Sequence, residues 1–147
     1  LKNIPKVFIH RDYHVDNLFF IENKDQHFSC GWIDYQDALI GPCVYDLVSL
    51  TQDARIDVDT KLERKIINYY LKSFGNIDRT EFEMCYKVVA IQRHLKVLGI
   101  FKRLAVRDNK NNYLVHIPRV IKMLKKNLSS REFRKIFKIL TPFLNYG

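Results

Sequence analysis

Apolar positions along this chain come first in short runs and later at helical spacing. Val7, Phe8 and Ile9 form one run and Leu18, Phe19, Phe20 and Ile21 a second; their length and their β-branched and aromatic content are those of strands. Glu22-Asn23-Lys24-Asp25-Gln26 reads as a turn, and His27-Phe28-Ser29-Cys30-Gly31-Trp32-Ile33 as a returning strand. Asp37 to Pro42 reads as a loop closed by a Gly-Pro breaker. Pro42 suits the first turn of a helix to about Thr51, with Val44, Leu47, Val48 and Leu50 inward. The acidic stretch from Asp53 to Asp59 reads as a loop. Asp59 or Thr60 then caps a helix that stops at Gly75, with Leu62, Ile66, Tyr69, Tyr70 and Phe74 on one stripe. Asp78 and Glu81 make a D-x-x-E start for the longest helix, from about Thr80 to Val106. Its apolar face runs through Phe82, Tyr86, Val89, Leu95, Leu98, Phe101 and Leu104. After a polar turn from Arg107 to Asn112 comes a helix with Ile117, Val120, Ile121, Leu124 and Leu128 inward, which Pro118 either starts or kinks. Ser129 and Glu132 form an S-x-x-E box for a last helix carrying Phe133, Ile136, Phe137 and Leu140, closed by Pro142. The expected fold class is α+β and mostly helical, with a small β-hairpin near the start of the chain.

The chemistry concentrates between the strands. His10-Arg11-Asp12-Tyr13-His14-Val15-Asp16-Asn17 has the H-R-D-x-x-x-x-N spacing of a kinase catalytic loop, and Asp34 ends the returning strand. Phosphoryl transfer uses such a set: one carboxylate orients the attacking hydroxyl and takes its proton, while an amide and a second carboxylate hold the metal ions on the phosphates. Asp12 is therefore the expected catalytic base, and Asn17 and Asp34 the expected metal ligands. Asp37, just beyond, is a candidate for holding the acceptor or ordering the loop. On the long helix Gln92, Arg93 and His94 interrupt the apolar pattern. A lone histidine there is ordinarily a satisfied core residue, whereas three polar residues in succession suit a cleft, so Arg93 and His94 are candidate substrate contacts. Asp46 lies between Tyr45 and Leu47 in a helix and needs a partner if buried.

Several blocks together, His10–Asn17, Trp32–Ala38, Gly41–Leu50, Ile91–Gly99 and Ile117–Val120, resemble the aminoglycoside phosphotransferase and choline kinase superfamily, which has a protein-kinase-like fold. Within it the similarity is greatest to bacterial cell-wall kinases of N-acetylmuramate and N-acetylglucosamine. The resemblance implies ATP and Mg2+ as cofactors, a small-molecule hydroxyl as acceptor, and structural support of the catalytic segment by His10 and Asp46. A nucleotide-gripping Gly-rich loop and strand lysine are absent from these 147 residues: Gly31, Gly41, Gly75, Gly99 and Gly147 form no G-x-G-x-x-G. The resemblance therefore implies a C-terminal lobe whose N-terminal lobe is missing, with residues 1–40 expected to carry the catalytic loop and β element and residues 41–147 a helical subdomain.

Composition narrows the alternatives. Hydrophobic residues at 47% and charged residues at 28% are those of a globular domain. No apolar run approaches the ~20 residues of a bilayer span, and no signal-peptide pattern is present. Three widely spaced cysteines, Cys30, Cys43 and Cys85, disfavour disulfide or metal use and point to the cytoplasm. Residues 1–89 hold 11 Lys/Arg against 14 Asp/Glu, a net of −3, whereas residues 90–147 hold 14 against 2, a net of +12. Lysines interleaved with apolar residues favour solvated helix faces over a nucleic-acid surface. Three alternatives stay open: an aminoglycoside or choline-type kinase, a basic helical binding module with a vestigial kinase site, and a metal-dependent hydrolase built on Asp12, Asp34 and Asp37. The last lacks a second carboxylate-rich or His-rich ligand group.

Overall fold

A computed structural model describes residues 3–22, 25, 29–75 and 77–144. Asn23, Lys24 and Gln26 of the expected turn, and His27 and Phe28 of the returning strand, lie outside the described residues. The protein is mostly helical with small antiparallel sheets, as an α+β reading requires. It divides into two compact units: Leu1–Asp53 with Asp57–Tyr86, and Ala54–Ile56 with Lys87–Gly147.

Among the described residues of the first unit, four short strands form two ribbons. β1 (Lys6–Ile9) pairs with β4 (Leu39–Pro42), and β2 (Leu18–Phe20) pairs with β3 (Cys30–Trp32). The segment ending in Gly41-Pro42 is therefore a strand, not the loop that its breaker residues suggest. The open edge of β1 needs a partner for its backbone groups, and Leu39 and Ile40 supply an apolar pair opposite Ile9 and Phe8. Gly41 leaves room for the Ile9 side chain, which a Cβ there would meet. Pro42 sits on the last rung, opposite Lys6, where a missing N–H is tolerated. The Cys43 N–H continues the pairing to the Pro5 carbonyl at 3.0 Å. Helix α1 (Tyr45–Thr51) follows, so Pro42 belongs to the strand and not to the helix.

Helix α2 (Thr60–Phe74) starts where its cap predicts, with the Asp59 carboxylate accepting from the Lys61 N–H at 2.6 Å. It ends at Gly75, whose φ of 68° is in the left-handed region that glycine enters without strain. Its buried side differs from the expected stripe. Leu62 and Tyr69 face solvent, and Glu63 is buried. Hydrogen bonding explains the rotation. Glu63 Oε1 accepts from Gln52 Nε2 at 2.8 Å and from the Tyr86 hydroxyl at 2.9 Å, and that hydroxyl also meets Thr51 Oγ1 at 2.6 Å. Four polar groups satisfy one another, which a buried carboxylate requires. Burial, and next the Glu63 carboxylate, push the Tyr86 hydroxyl far above its ordinary range, so it remains a donor.

Helix α3 (Arg79–Asp108) begins in the first unit, where Asp78 Oδ1 accepts from the Glu81 N–H at 2.8 Å. Its later turns belong to the second unit and end in a left-handed Asn109, φ 54°, with the Lys110 N–H returning to the Leu104 carbonyl at 3.0 Å. Leu95 is partly exposed rather than inward. Phe101, Val120 and Ala54 form a cluster flanked by Val97, Leu98, Ile100, Tyr113, Ile117 and Met123. Arg119 Nη1 fastens this unit by donating to the carbonyls of Ala54 and Arg55 at 3.1 and 2.9 Å. Pro118 starts helix α4 (Ile117–Leu128). The expected Ser129 cap does not form: its hydroxyl turns back to the Lys126 carbonyl, near the end of α4, at 2.8 Å. A 3₁₀ turn, Arg131–Phe133, then leads into helix α5 (Arg134–Leu140), on which Ile136 is exposed. Among the described residues no helix is long and apolar enough to cross a membrane.

The Glu63 network gives a direct test of the first unit's packing. Tyr86→Phe removes the donor to a buried carboxylate and is expected to lower unfolding free energy by about 1–3 kcal/mol in urea titrations. Leu62→Ala, on the exposed side of α2, is expected to change it by less than about 0.5 kcal/mol.

Candidate active site

The loop between β1 and β2 joins the two ribbons, and its shape is set by a carboxylate from α1. Asp46 accepts from two successive backbone N–H groups, His10 at 2.6 Å and Arg11 at 3.0 Å, one on each oxygen. Arg11 has φ 75°, a conformation disfavoured for a long side chain, and the paired bonds hold it there. The turn that results buries the His10 ring against Trp32 and Tyr13, with centroids 5.3 and 5.9 Å away. His10 Nε2 donates to the Ile33 carbonyl at 2.8 Å, which places the ring proton on Nε2. Arg11 Nη1 reaches the Asp37 carbonyl at 3.1 Å.

Asp12 lies at the start of a closed turn. Its carbonyl accepts from the His14 N–H at 3.1 Å and from Asn17 Nδ2 at 2.9 Å. Residues Val15–Asn17 then make a 3₁₀ turn, closed by the Asn17 N–H on the His14 carbonyl at 2.9 Å. Asn17 is buried and begins the β2–β3 ladder, its carbonyl accepting from the Ile33 N–H at 3.1 Å. That rung carries the Asp34 side chain to Asn17: Asn17 Nδ2 stands 3.4 Å from Asp34 Oδ2. Asp34 is itself left-handed, φ 67°, a conformation that aspartate tolerates better than most residues. Gln36 Nε2 donates to its other oxygen at 2.5 Å. Burial, then the Cys30 thiol and the Asp46 carboxylate, raise the Tyr13 hydroxyl above its ordinary pKa.

The Asn17 side-chain amide thus links the Asp12 backbone carbonyl to the Asp34 carboxylate, while Asp46 holds the preceding His10 and Arg11 amides. Asp37 is exposed, and its backbone carbonyl is held by Arg11. Arg93 and His94 belong to the second unit. They do not face one way as a set with Gln92: His94 is 3% exposed, Arg93 half-buried and Gln92 exposed, as a turn of about 100° per residue dictates. The flanking strands are less buried than their apolar runs suggest, with Phe8 at 55% and Phe20 at 79% exposure. A two-stranded ribbon has one covered face at most, so order at the loop comes from side chain–backbone bonds.

A model of the phosphotransferase enzyme family matches residues 1–83, more than half of the chain. The chain belongs to this family. N-acetylmuramate/N-acetylglucosamine kinases are among the proteins similar to it. That of Caulobacter vibrioides is 38% identical over 114 residues, covering 78% of this chain and 31% of the relative. That of Neisseria meningitidis is 38% identical over 128 residues, 83% and 37% respectively. That of Pseudomonas aeruginosa is 35% identical over 133 residues, 86% and 38%. The chain spans about a third of the length of these curated relatives.

Members of a phosphotransferase family work with a nucleotide and a divalent metal, and the donors present fit Mg2+. Asn17 and Asp34 offer one amide oxygen and one carboxylate, hard ligands suited to an ion that keeps waters and phosphate oxygens for its remaining positions. Among the described residues no three His, Cys, Asp or Glu side chains converge, so a closed protein cage is not formed.

Two participants escape a reading by motif. Gln36 is a polar residue in a polar stretch, with nothing to single it out. Asp53, read as part of an acidic loop, is buried and accepts from the Val15 N–H at 3.4 Å. Asp53 lies just past Gln52, the C-cap of α1, so no helical periodicity in the sequence ties it to Asp46.

Removing the Asp46 carboxylate is expected to free the strained Arg11 backbone. Asp46→Ala should lower unfolding free energy by about 3 kcal/mol, because two charge-assisted bonds are lost. Amide exchange at His10 and Arg11 should rise in the same variant. Protection at these two amides equal to wild type would show that the clamp is not needed.

Proposed function

We propose that this chain is the catalytic C-terminal lobe of an ATP-dependent kinase that phosphorylates a hydroxyl of an N-acetylated amino sugar in the cytoplasm. The observation that carries the reading is Asn17, whose side-chain amide spans the Asp12 carbonyl and the Asp34 carboxylate, in a chain of the phosphotransferase family. Asp12 orients the acceptor hydroxyl and accepts its proton as the sugar oxygen bonds to the γ-phosphorus and the bond to the ADP oxygen breaks. Asn17 and Asp34 would hold Mg2+, which would supply charge neutralisation at the phosphates. Asp46 and His10 hold the loop from behind. Asp37 orders the segment after Asp34 or contacts the acceptor. Arg93 and His94 are assigned to the acceptor side, where a cation suits the carboxylate of N-acetylmuramate.

A further lobe is proposed to grip the nucleotide. It is supported by the span of about a third of the relatives' length, by the lack of a Gly-rich loop in these residues, and by the exposed Phe8, Trp32 and Ile40 on the ribbons. The acceptor follows from two supports: the names of the similar kinases, and charge. A polycationic aminoglycoside needs a carboxylate-rich pocket, whereas the residues from 90 on carry a net of +12.

Phosphate-transfer assays on the full-length gene product test this reading. N-acetylmuramate and N-acetylglucosamine are expected to be turned over and kanamycin not; the reverse pattern would overturn the acceptor assignment. Asp34→Ala is expected to abolish turnover, while Asp12→Asn should lower kcat by at least about 10²-fold and leave ATP binding within a few-fold. Residues 1–147 alone are expected to show no micromolar ATP binding by calorimetry.

A further inference from the structure

The loop bearing Asp12 and Asn17 is anchored at two places. The first is the Asp46 clamp on the N–H groups of His10 and Arg11. The second lies at the start of the Val15–Asn17 turn. The leading N–H groups of a helical turn have no partner inside it, and the side chain of His14, at the N-cap position, does not cap them. The Val15 N–H donates instead to Asp53 Oδ2, at 3.4 Å. Asp53 is 2% exposed and sits directly after Gln52, the C-cap of α1. A carboxylate this deep needs hydrogen-bond donors around it. Val15 is the first residue of the three-residue turn that ends in Asn17, whose amide reaches the Asp12 carbonyl and the Asp34 carboxylate.

We propose that Asp53 is a positioning residue for the metal-holding end of the site, acting through Val15 on Asn17. This rests on the phosphotransfer function proposed above. The two carboxylates divide the loop between them: Asp46 governs the end that carries Asp12, and Asp53 the end that carries Asn17. Loss of Asp53 should therefore be felt in metal affinity and not in acceptor affinity.

The test uses the full-length protein. Mn2+ binding is followed by electron paramagnetic resonance with a non-hydrolysable ATP analogue present, beside kinetics at varied Mg2+ and varied amino sugar. Asp53→Ala is expected to weaken Mn2+ binding about tenfold, the usual scale for a residue that orients a ligand, with the acceptor KM within about twofold. Asp53→Asn keeps an acceptor oxygen and is expected to recover most of the loss. Val15→Pro removes the donor while leaving Asp53 in place. Proline is tolerated at the first position of such a turn, and His14 at φ −137°, ψ 167° already has the extended conformation that a following proline demands. It is expected to reproduce the Asp53→Ala loss, and it decides the matter should Asp53→Ala not fold. Asp34→Ala is the reference. If it weakens Mn2+ binding while Asp53→Ala and Val15→Pro bind like wild type, or raise the acceptor KM as much as the metal constant, the role of Asp53 is overturned and the metal site stands. If Asp34→Ala itself leaves Mn2+ binding unchanged, the metal-site reading fails, and the role of Asp53 falls with it.

Discussion

A carboxylate on a helix holds the catalytic loop by its backbone. Asp46 occupies the N–H groups of His10 and Arg11 together, and Arg11 sits in a left-handed conformation that costs on the order of 1–3 kcal/mol. Two bonds to a charged acceptor offset a cost of that size. With Arg11 turned this way, His10 points inward to the Ile33 carbonyl, the Arg11 guanidinium reaches the Asp37 carbonyl, and Asp12 stands at the bend between them. Ile33 is then gripped twice, by His10 at its carbonyl and by Asn17 at its N–H, and Asp34 follows directly. The relation of Asp34 to Asp12 thus runs through the Ile33 backbone and the Asn17 side-chain amide.

The strands contribute geometry more than stability. Two-stranded ribbons are marginal by themselves, and much of their apolar surface is exposed. What the ladder does supply is register. Leu18 opposite Trp32 puts Asn17 beside Ile33, so an amide and a carboxylate distant in sequence come within 3.4 Å. Order in the first unit comes also from polar networks with every member satisfied, of which Glu63, Gln52, Tyr86 and Thr51 form the clearest case.

The approach of Asn17 to the Asp12 carbonyl and the Asp34 carboxylate was legible in the sequence because the spacing is enforced locally. A five-residue bend and a strand returning beside its neighbour leave few arrangements other than convergence. The helices were legible for the same reason. Asp59 and Asp78 accept from N–H groups two or three residues away, and Gly75 adopts the left-handed angle that ends a helix. Such interactions involve neighbours along the chain and need no knowledge of the rest of the fold.

Tertiary structure decided whatever depended on a distant partner. Leu39–Pro42 has the residues of a loop and became a strand because the β1 edge lay open beside it. The buried side of α2 turned from Leu62 to Glu63 because Gln52 and Tyr86 offered donors that periodicity does not register. Ser129 had a capping pattern, yet its hydroxyl went to the Lys126 carbonyl near the end of α4. Asp53 had the composition of a solvent-facing loop and became a buried acceptor for Val15, a residue 38 positions earlier in the chain. Local sequence determined where helices start and stop and which three residues carry the candidate chemistry. Which polar groups are buried, and which backbone N–H each one takes, followed from the packing of remote segments, since a desolvated polar atom is stable only where the fold delivers its partner.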